Sequence, residues 1–525
     1  MKKLYMIDDS FLRLESRRQP LHIGMLMLFE PPEDATENFA SDLAEKLRQS
    51  VKTAAPFNRL LVRKRGMHYW EEDSDFDLGH HFAHVSLPEP GRIRELLAMV
   101  SRLHCGHLDR SYPMWRIYLI EGIEDGRIAV YMKIHHSMVD GMTGIKMMIN
   151  SMSPDRDASR DLPPFWEVET IKSSGGQVLP VPTPIVESIF AARKITRDSA
   201  KSMMGVAREL RDSFVDYWRD NPDLAVAGTA PHTVFNQKVS GTRRFSAQSY
   251  STPRIKTVAA ALGGSSNDVI LAMCAGALLR YLQELGEAPE LPLSAAVPVS
   301  VRDRNNDTSD VANEVAFTIA NLATNVADPV ERLKAIKSSM DYNKERIRRL
   351  TPNQLQAYSA MMLMPGAMAM LLGRGSEKAL ASVVISHVPG PRQDLYWQGA
   401  KLSGLYPASL VIDQGALNIT IISRHDTVDI GLIACRKAVP HMQRLLDYLE
   451  DSLSELEAAV AKLPKVELAT YDSVNPKAVK PKAVKANAAR SSKAKSVSGK
   501  SATESAVTSS KVSRKKSAAS AGLTK

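Results

Sequence analysis

The stretch GRIAVYMKIHHSMVDGMTGIKMMINSMS, residues 126–153, changes its hydrophobic period in the middle. Up to the paired histidines it alternates, with Ile128, Val130, Met132 and Ile134 on one face, as a strand does. Past them, Met142, Ile145, Ile149 and Met152 recur at helical spacing. A strand therefore ends at His135-His136, Asp140-Gly141 makes the turn, and a helix follows. This junction commits the chain to a sheet covered by helices and places two imidazoles at a strand end.

The same mixture recurs along the chain. Residues 1 to about 160 read as one α/β half, and residues 230–465 as a second. In the second, SSNDVILAMCAGALLRYL is a capped apolar helix, LPLSAAVPVSVR, ASVVISHVPG and ALNITIISR are strands, and PHMQRLLDYLEDSLSELEAAV is a closing helix. Between the halves, 161–229 holds a Pro/Gly/Ser-rich linker (162–184) and a helical connector from Pro184 to Trp218. That connector reads either as a bridge between domains or as an amphipathic face for anionic lipid. The expected class is α/β, with mixed sheets in two halves.

The net charge of +10 invites a nucleic-acid reading, so its location matters. Residues 476–525 carry thirteen Lys or Arg and a single acid, Glu504. The rest of the chain holds 55 basic and 57 acidic residues and is nearly neutral. The basic character thus belongs to a tail, 466–525, whose Lys/Ala/Ser composition predicts disorder. The body offers no nucleic-acid recognition motif. Cys105, Cys274 and Cys435 lie far apart without a CxxC pattern, which implies neither a disulfide framework nor a zinc cluster. Acids at Asp8 and Asp9 precede any apolar run at the start, and the longest run, from Ala360, is broken by Pro365-Gly366. A cytoplasmic protein is expected, with a membrane surface as a further location.

Three roles compete for the histidine doublet. Adjacent strand residues point to opposite faces, so His135 and His136 do not chelate one ion together. With no HExxH or nearby cysteine, no metal is expected. A second doublet, His80-His81, lacks the following Asp-Gly and reads as structural. His136 continues the face of Met132 and Ile134 and should point inward, either as a satisfied core residue or as a neutral imidazole suited to accept a proton. Asp140 can fix the turn or hold a cation. The chain has no GxSxG elbow and no Cys near a His motif. A base without a nucleophile suggests direct attack by a bound acceptor on an activated acyl group.

On these residues the chain resembles the CoA-dependent acyltransferase superfamily marked by HHxxxDG, and within it the bacterial wax ester synthase / acyl-CoA:diacylglycerol acyltransferases. The matching stretches are DDSFLRLESRRQPLHIG, RSYPMWRIYLIEG, KIHHSMVDG, TVFNQKVSGTRRF, SSNDVILA, PVSVRDR, ISHVPGPR and GALNITI, spanning about residues 5–455. The pattern is departed from at Met114, where Leu is usual, and at His387, where Asn is usual. The resemblance implies two chloramphenicol-acetyltransferase-like domains with a tunnel at their interface. It also implies acyl transfer from acyl-CoA to a long-chain alcohol or a diacylglycerol, giving wax ester or triacylglycerol without a cofactor or covalent acyl-enzyme. By the same resemblance His136 is the base, and His135 and Asp140 support it. Asn267 would bind or orient the reacting groups, Asp268 brace its helix, Arg302 pair with Asp140, and Gly141 serve the turn. The alternative within the superfamily is a condensation-type enzyme using a carrier-protein thioester and an amine.

Overall fold

A computed structural model of the chain describes residues 1–168 (apart from 5 and 51), 225, 228–300, 315–350, 354 and 379–463. The connector from 184 to 218, the apolar run from Ala360 to 373, Arg302 and the basic tail lie outside the described residues.

Two six-stranded mixed sheets organise the body. The first is built from β2 (His22–Glu30), β5 (Phe82–Ser86), β6 (Trp115–Glu121) and β7 (Ile128–His135) of the first half. It is completed by β12 (Tyr396–Trp397) and β13 (Ala400–Ala408) of the second half, in the order β12-β13-β2-β7-β6-β5. The second contains β8 (Arg243–Ser251), β9 (Ser294–Ser300), β10 (Val315–Asn321), β11 (Val383–Pro389), β14 (Leu417–Ser423) and β15 (Thr427–Cys435), in the order β10-β9-β11-β14-β15-β8. A small sheet of β1 (Lys2–Lys3), β3 (Arg59–Lys64) and β4 (Met67–Glu72) flanks the first. The helices are α1 (Met6–Leu14), α2 (Phe39–Arg48), α3 (Ile93–Cys105), α4 (Gly141–Asn150) and α5 (Arg156–Arg160) in the first half. In the second they are α6 (Thr252–Ala261), α7 (Ser266–Glu284), α8 (Pro329–Arg348) and α9 (Arg444–Ala461).

Two features differ from the sequence expectation. First, β7 is buried along both faces. Ile128, Val130, Met132 and Ile134 enter one core with Met147, Met148 and Trp115, while Ala129 and Tyr131 enter a second core shared with α7, β14 and β15. Both faces of the sheet are covered at this strand, so its pattern reports which core each residue enters. Second, the linker expected at 162–184 begins inside the fold. Phe165 and Trp166 are buried, Trp166 Nε1 donates to Ser50 Oγ at 2.8 Å, and Ala54 N donates to the Trp166 carbonyl at 2.7 Å.

The two halves do not separate at a simple chain boundary, because β13 crosses from the second half to pair antiparallel with β2. Where β13 passes β15 the backbones nearly touch: a Cβ on Gly431 would lie 2.0 Å from the Pro407 carbonyl oxygen, so only glycine fits. Beside this crossing, the fully buried Asp429 accepts hydrogen bonds from Leu405 N (2.8 Å), Arg424 Nε (2.6 Å) and Ser249 Oγ (2.6 Å). Arg424 also donates to the Ser403 carbonyl at 2.7 Å, next to the register shift between Leu402 and Gly404. A buried ion pair thus ties the crossing strand to the second sheet.

No single helix among the described residues is long and apolar enough to cross a membrane. The apolar α7 has Val269 to Leu278 buried in the core.

Candidate active site

At the end of β7 the chain turns through Ser137–Val139 into α4. Asp140 is the N-cap of that helix. Its Oδ1 accepts from Thr143 N at 2.9 Å and its Oδ2 from Thr143 Oγ1 at 2.8 Å. Satisfying a free N–H at the helix start is what makes the sharp turn stable. Gly141 is the exposed first residue of the helix, and a Cβ there would meet no atom within 4 Å. The expected turn role therefore falls to Asp140, and nothing in the described chain requires glycine at 141.

His136 N donates to the Leu21 carbonyl at 3.0 Å, which fixes the residue beside the start of β2. Its ring stacks on Phe11 of α1, with centroids 4.3 Å apart and planes at 26°. Nδ1 is enclosed and makes no hydrogen bond to the protein, although the residue as a whole keeps some exposure. Burial lowers the imidazole pKa to about 4, against the opposing pull of the Asp140 carboxylate. His136 is therefore neutral at pH 7 and its lone pair is available.

His135 lies on the other side of the doublet and is fully buried. Ser137 N donates to its Nδ1 at 3.2 Å, which makes Nδ1 an acceptor and puts the ring proton on Nε2, 3.6 Å from Glu15 Oε1. That length is an electrostatic approach rather than a hydrogen bond. Glu15 is held more firmly by others: Leu21 N donates to Oε1 at 3.0 Å and Arg110 Nη2 to Oε2 at 2.9 Å. Burial pushes this carboxyl up, but the His135 ring, the Leu21 N–H and Arg110 outweigh it and hold the pKa well below the usual range. His135 thus belongs to a buried network that anchors the α1 end against the doublet. Asp8 of α1 also approaches Asp140, and burial together with that like charge raises its pKa to about 6, against Lys2.

Asn267 and Asp268 begin α7. Asp268 forms a capping box: its Oδ2 accepts from Ser265 N at 2.8 Å while Ser265 Oγ accepts from Asp268 N. Asn267 is partly exposed, and its Oδ1 lies 3.1 Å from His387 Nδ1 on β11. His387 Nε2 lies 2.6 Å from Ser423 Oγ at the end of β14. The residues that follow His387 and precede Ser423, Val388 and Ile422, pack into the same core cluster as Val139, Ile145 and Met148. The ends of β11 and β14 therefore abut the core that carries the histidine loop. The expected partner of Asp140, Arg302, lies outside the described residues.

Among the described residues no group of three or more His, Cys, Asp or Glu could hold a metal ion. The other doublet is locked into packing: His81 donates Nδ1–H to the Trp115 carbonyl at 2.9 Å and stacks between Phe76 and Trp115, and His80 stacks on Tyr112. Phe11, Glu15 and Ser423 carry no site signal of their own in the sequence, and His387 stands out there only as a departure from the family pattern. Phe11 and Glu15 lie inside the stretch DDSFLRLE, and Ser423 at the end of the strand ALNITIISR.

Burial holds His81, His136 and His387 near pKa 4, His104 near 3, and His22 well below its ordinary value. The unfolded chain binds protons at these rings from about pH 6.5 downward, whereas the folded chain does not until about pH 4. Stability should therefore fall as the pH drops through this window. Asp8 acts in the opposite sense but is one group against five. Thermal melting at pH 7.5 and pH 5 checks this, and a Tm at pH 5 equal to or above that at pH 7.5 would contradict it.

Residues 4–270 match the sequence model of the wax ester synthase/diacylglycerol acyltransferase catalytic domain, and 311–457 match the WS/DGAT C-terminal domain. The O-acyltransferase WSD of Acinetobacter baylyi is 42% identical over 471 residues, 89% of this chain and 100% of that protein. A putative diacylglycerol O-acyltransferase of Mycobacterium tuberculosis is 40% identical over 461 residues, 86% of this chain and 99% of that protein. Among solved structures, the wax ester synthase/diacylglycerol acyltransferase of Marinobacter aquaeolei VT8 superposes with a TM-score of 0.71 at 39% identity, covering 88% of this chain and 100% of that one. A condensation domain of the calcium-dependent antibiotic synthetase shares the fold alone, at a TM-score of 0.56 and 14% identity, covering 88% and 96%. With both domain types matched in order and relatives aligned over nearly their whole lengths, this chain belongs to the wax ester synthase/diacylglycerol acyltransferase family and is an acyltransferase.

Proposed function

We propose that the enzyme transfers a fatty acyl group from acyl-CoA to the hydroxyl of a long-chain alcohol or a diacylglycerol, with His136 as general base. The observation that carries this reading is the state of His136: neutral, stacked on Phe11, its Nδ1 enclosed, at a strand end beside the second half of the molecule. The acceptor oxygen attacks the thioester carbonyl carbon while Nε2 takes the hydroxyl proton. Charge collects on the carbonyl oxygen, where the Asn267 amide donates a hydrogen bond. Collapse of the adduct breaks the C–S bond, and the imidazolium returns its proton to the departing CoA sulfur. The nearby Asp140 carboxylate favours the transient imidazolium. His135 and Asp140 hold the loop; Asp268 holds the helix that presents Asn267. The substrates would meet in a tunnel between the halves, the reaction needing no cofactor or metal.

Purified protein given palmitoyl-CoA and hexadecanol, or palmitoyl-CoA and a diacylglycerol, should release free thiol in step with ester. Thiol release that does not depend on either acceptor would refute the transfer.

We also propose that the enzyme works in the cytoplasm at an anionic membrane or lipid-droplet surface, held there by the basic tail. Thirteen Lys or Arg against one acid in residues 476–525 support this, since each cation near such a surface contributes roughly 1 kcal/mol. Deleting 466–525 should leave kcat on dispersed substrates unchanged and reduce low-salt co-sedimentation with anionic liposomes. Equal sedimentation of the full-length and shortened proteins would remove the anchoring role.

A further inference from the structure

Asn267 has two chemically opposite ends, and only the NH2 end can donate to a developing oxyanion. Which end faces the reaction is set by whatever holds the other. Here the Asn267 oxygen faces His387 Nδ1 at 3.1 Å, from a strand 120 residues away in sequence. We propose that His387 is a positioning residue for Asn267: its Nδ1–H donates to the amide oxygen, leaving the amide NH2 free to meet the thioester oxygen.

The chemistry of the three groups is consistent only in one direction once the amide oxygen faces the ring. That oxygen can only accept, so Nδ1 carries the proton of the neutral imidazole. Nε2 is then the acceptor, and Ser423 Oγ, 2.6 Å away, donates to it. His387 is enclosed enough that burial disfavours its charged form. Ser423 thereby sets the tautomer, the tautomer sets the amide, and the amide presents its donor. None of the three is required for the capping box, which Ser265 and Asp268 complete by themselves. The strand ends bearing His387 and Ser423 are in turn fixed by Val388 and Ile422 in the core of the histidine loop.

The proposal rests on Asn267 being the donor, so its test separates the two claims. Asn267→Ala and Asn267→Asp address the donor. Both should lower kcat about 10²–10³-fold, because the carboxylate of the second presents an acceptor where a donor is needed. If either retains wild-type kcat, the donor reading fails and the role of His387 falls with it. His387→Leu addresses the positioning. It should lower kcat about 10–100-fold, with KM for palmitoyl-CoA changed less than about twofold. It should have little further effect in the Asn267→Ala background, and His387→Asn, which keeps an N–H donor, should recover most of the loss. Ser423→Ala supplies the same comparison should His387→Leu fail to fold: kcat should fall in the presence of Asn267 and not in the Asn267→Ala background. Losses that add fully to that of Asn267→Ala, or unchanged kcat in His387→Leu while Asn267→Ala is impaired, would overturn the positioning role and leave the donor standing.

Discussion

Replacing His136 with alanine is expected to lower kcat by about 10²–10⁴-fold, the range that general-base assistance supplies. An aliphatic hydroxyl is a weak nucleophile at neutral pH, and the described site offers no other neutral imidazole in the same position. His135 turns its acceptor nitrogen to Ser137 and its other nitrogen towards Glu15, so it cannot take over. The fold should tolerate the change. The backbone bond from residue 136 to the Leu21 carbonyl survives, and the lost ring removes one stacking contact with Phe11 and a nitrogen that had no protein partner. Steady-state thiol release and a melting curve on the same preparation provide the check. An alanine variant with turnover within threefold of wild type and an unchanged Tm would exclude His136 as the base.

The largest stability effect is expected at Asp429, which pairs across the second sheet with Ile422, beside Ser423. Asp429→Ala leaves the Arg424 guanidinium without its carboxylate in a largely enclosed position and strips acceptors from Leu405 N and Ser249 Oγ. Breaking a buried ion pair by removing one partner costs about 3–5 kcal/mol, more than the pair itself contributes, because the remaining charge is stranded. The site lies where β13 leaves the second half to join the first sheet, so the loss should loosen the joint between the sheets. Urea unfolding of wild type, Asp429→Ala and Asp429→Ala/Arg424→Met would test this. The double variant, which removes the stranded charge as well, should recover part of the loss. A single variant within 1 kcal/mol of wild type would show that the latch is not needed.

Much of the site could be read from sequence because it is local. The strand–turn–helix switch of residues 126–153 and the Asp140 cap follow from periodicities and spacings of two to four residues. So does the pairing of Ser265 with Asp268 at the start of α7. A sequence pattern reports such neighbours faithfully, since helix and strand geometry place them at fixed distances. Pairing between distant segments is not reported in this way. The run of strand and helix signals marks two halves, but nothing in the signal of β13 says that it pairs with β2, whose residues precede it by more than 370 positions.

Taken alone, the sequence determined the family, the strand–turn–helix junction with a histidine doublet at the strand end, and the separation of a near-neutral body from a basic tail. Only the tertiary structure decided that β7 is buried on both faces, that Phe11 covers His136 and that Glu15 faces His135. It alone joined Asn267 to His387 and laid the Asp429–Arg424 pair beside the crossing strand. The physical reason is the range of the interactions. Periodicity and capping are set by backbone geometry within a few residues, whereas these contacts depend on the path of the chain between distant segments, which the shared packing of two cores fixes.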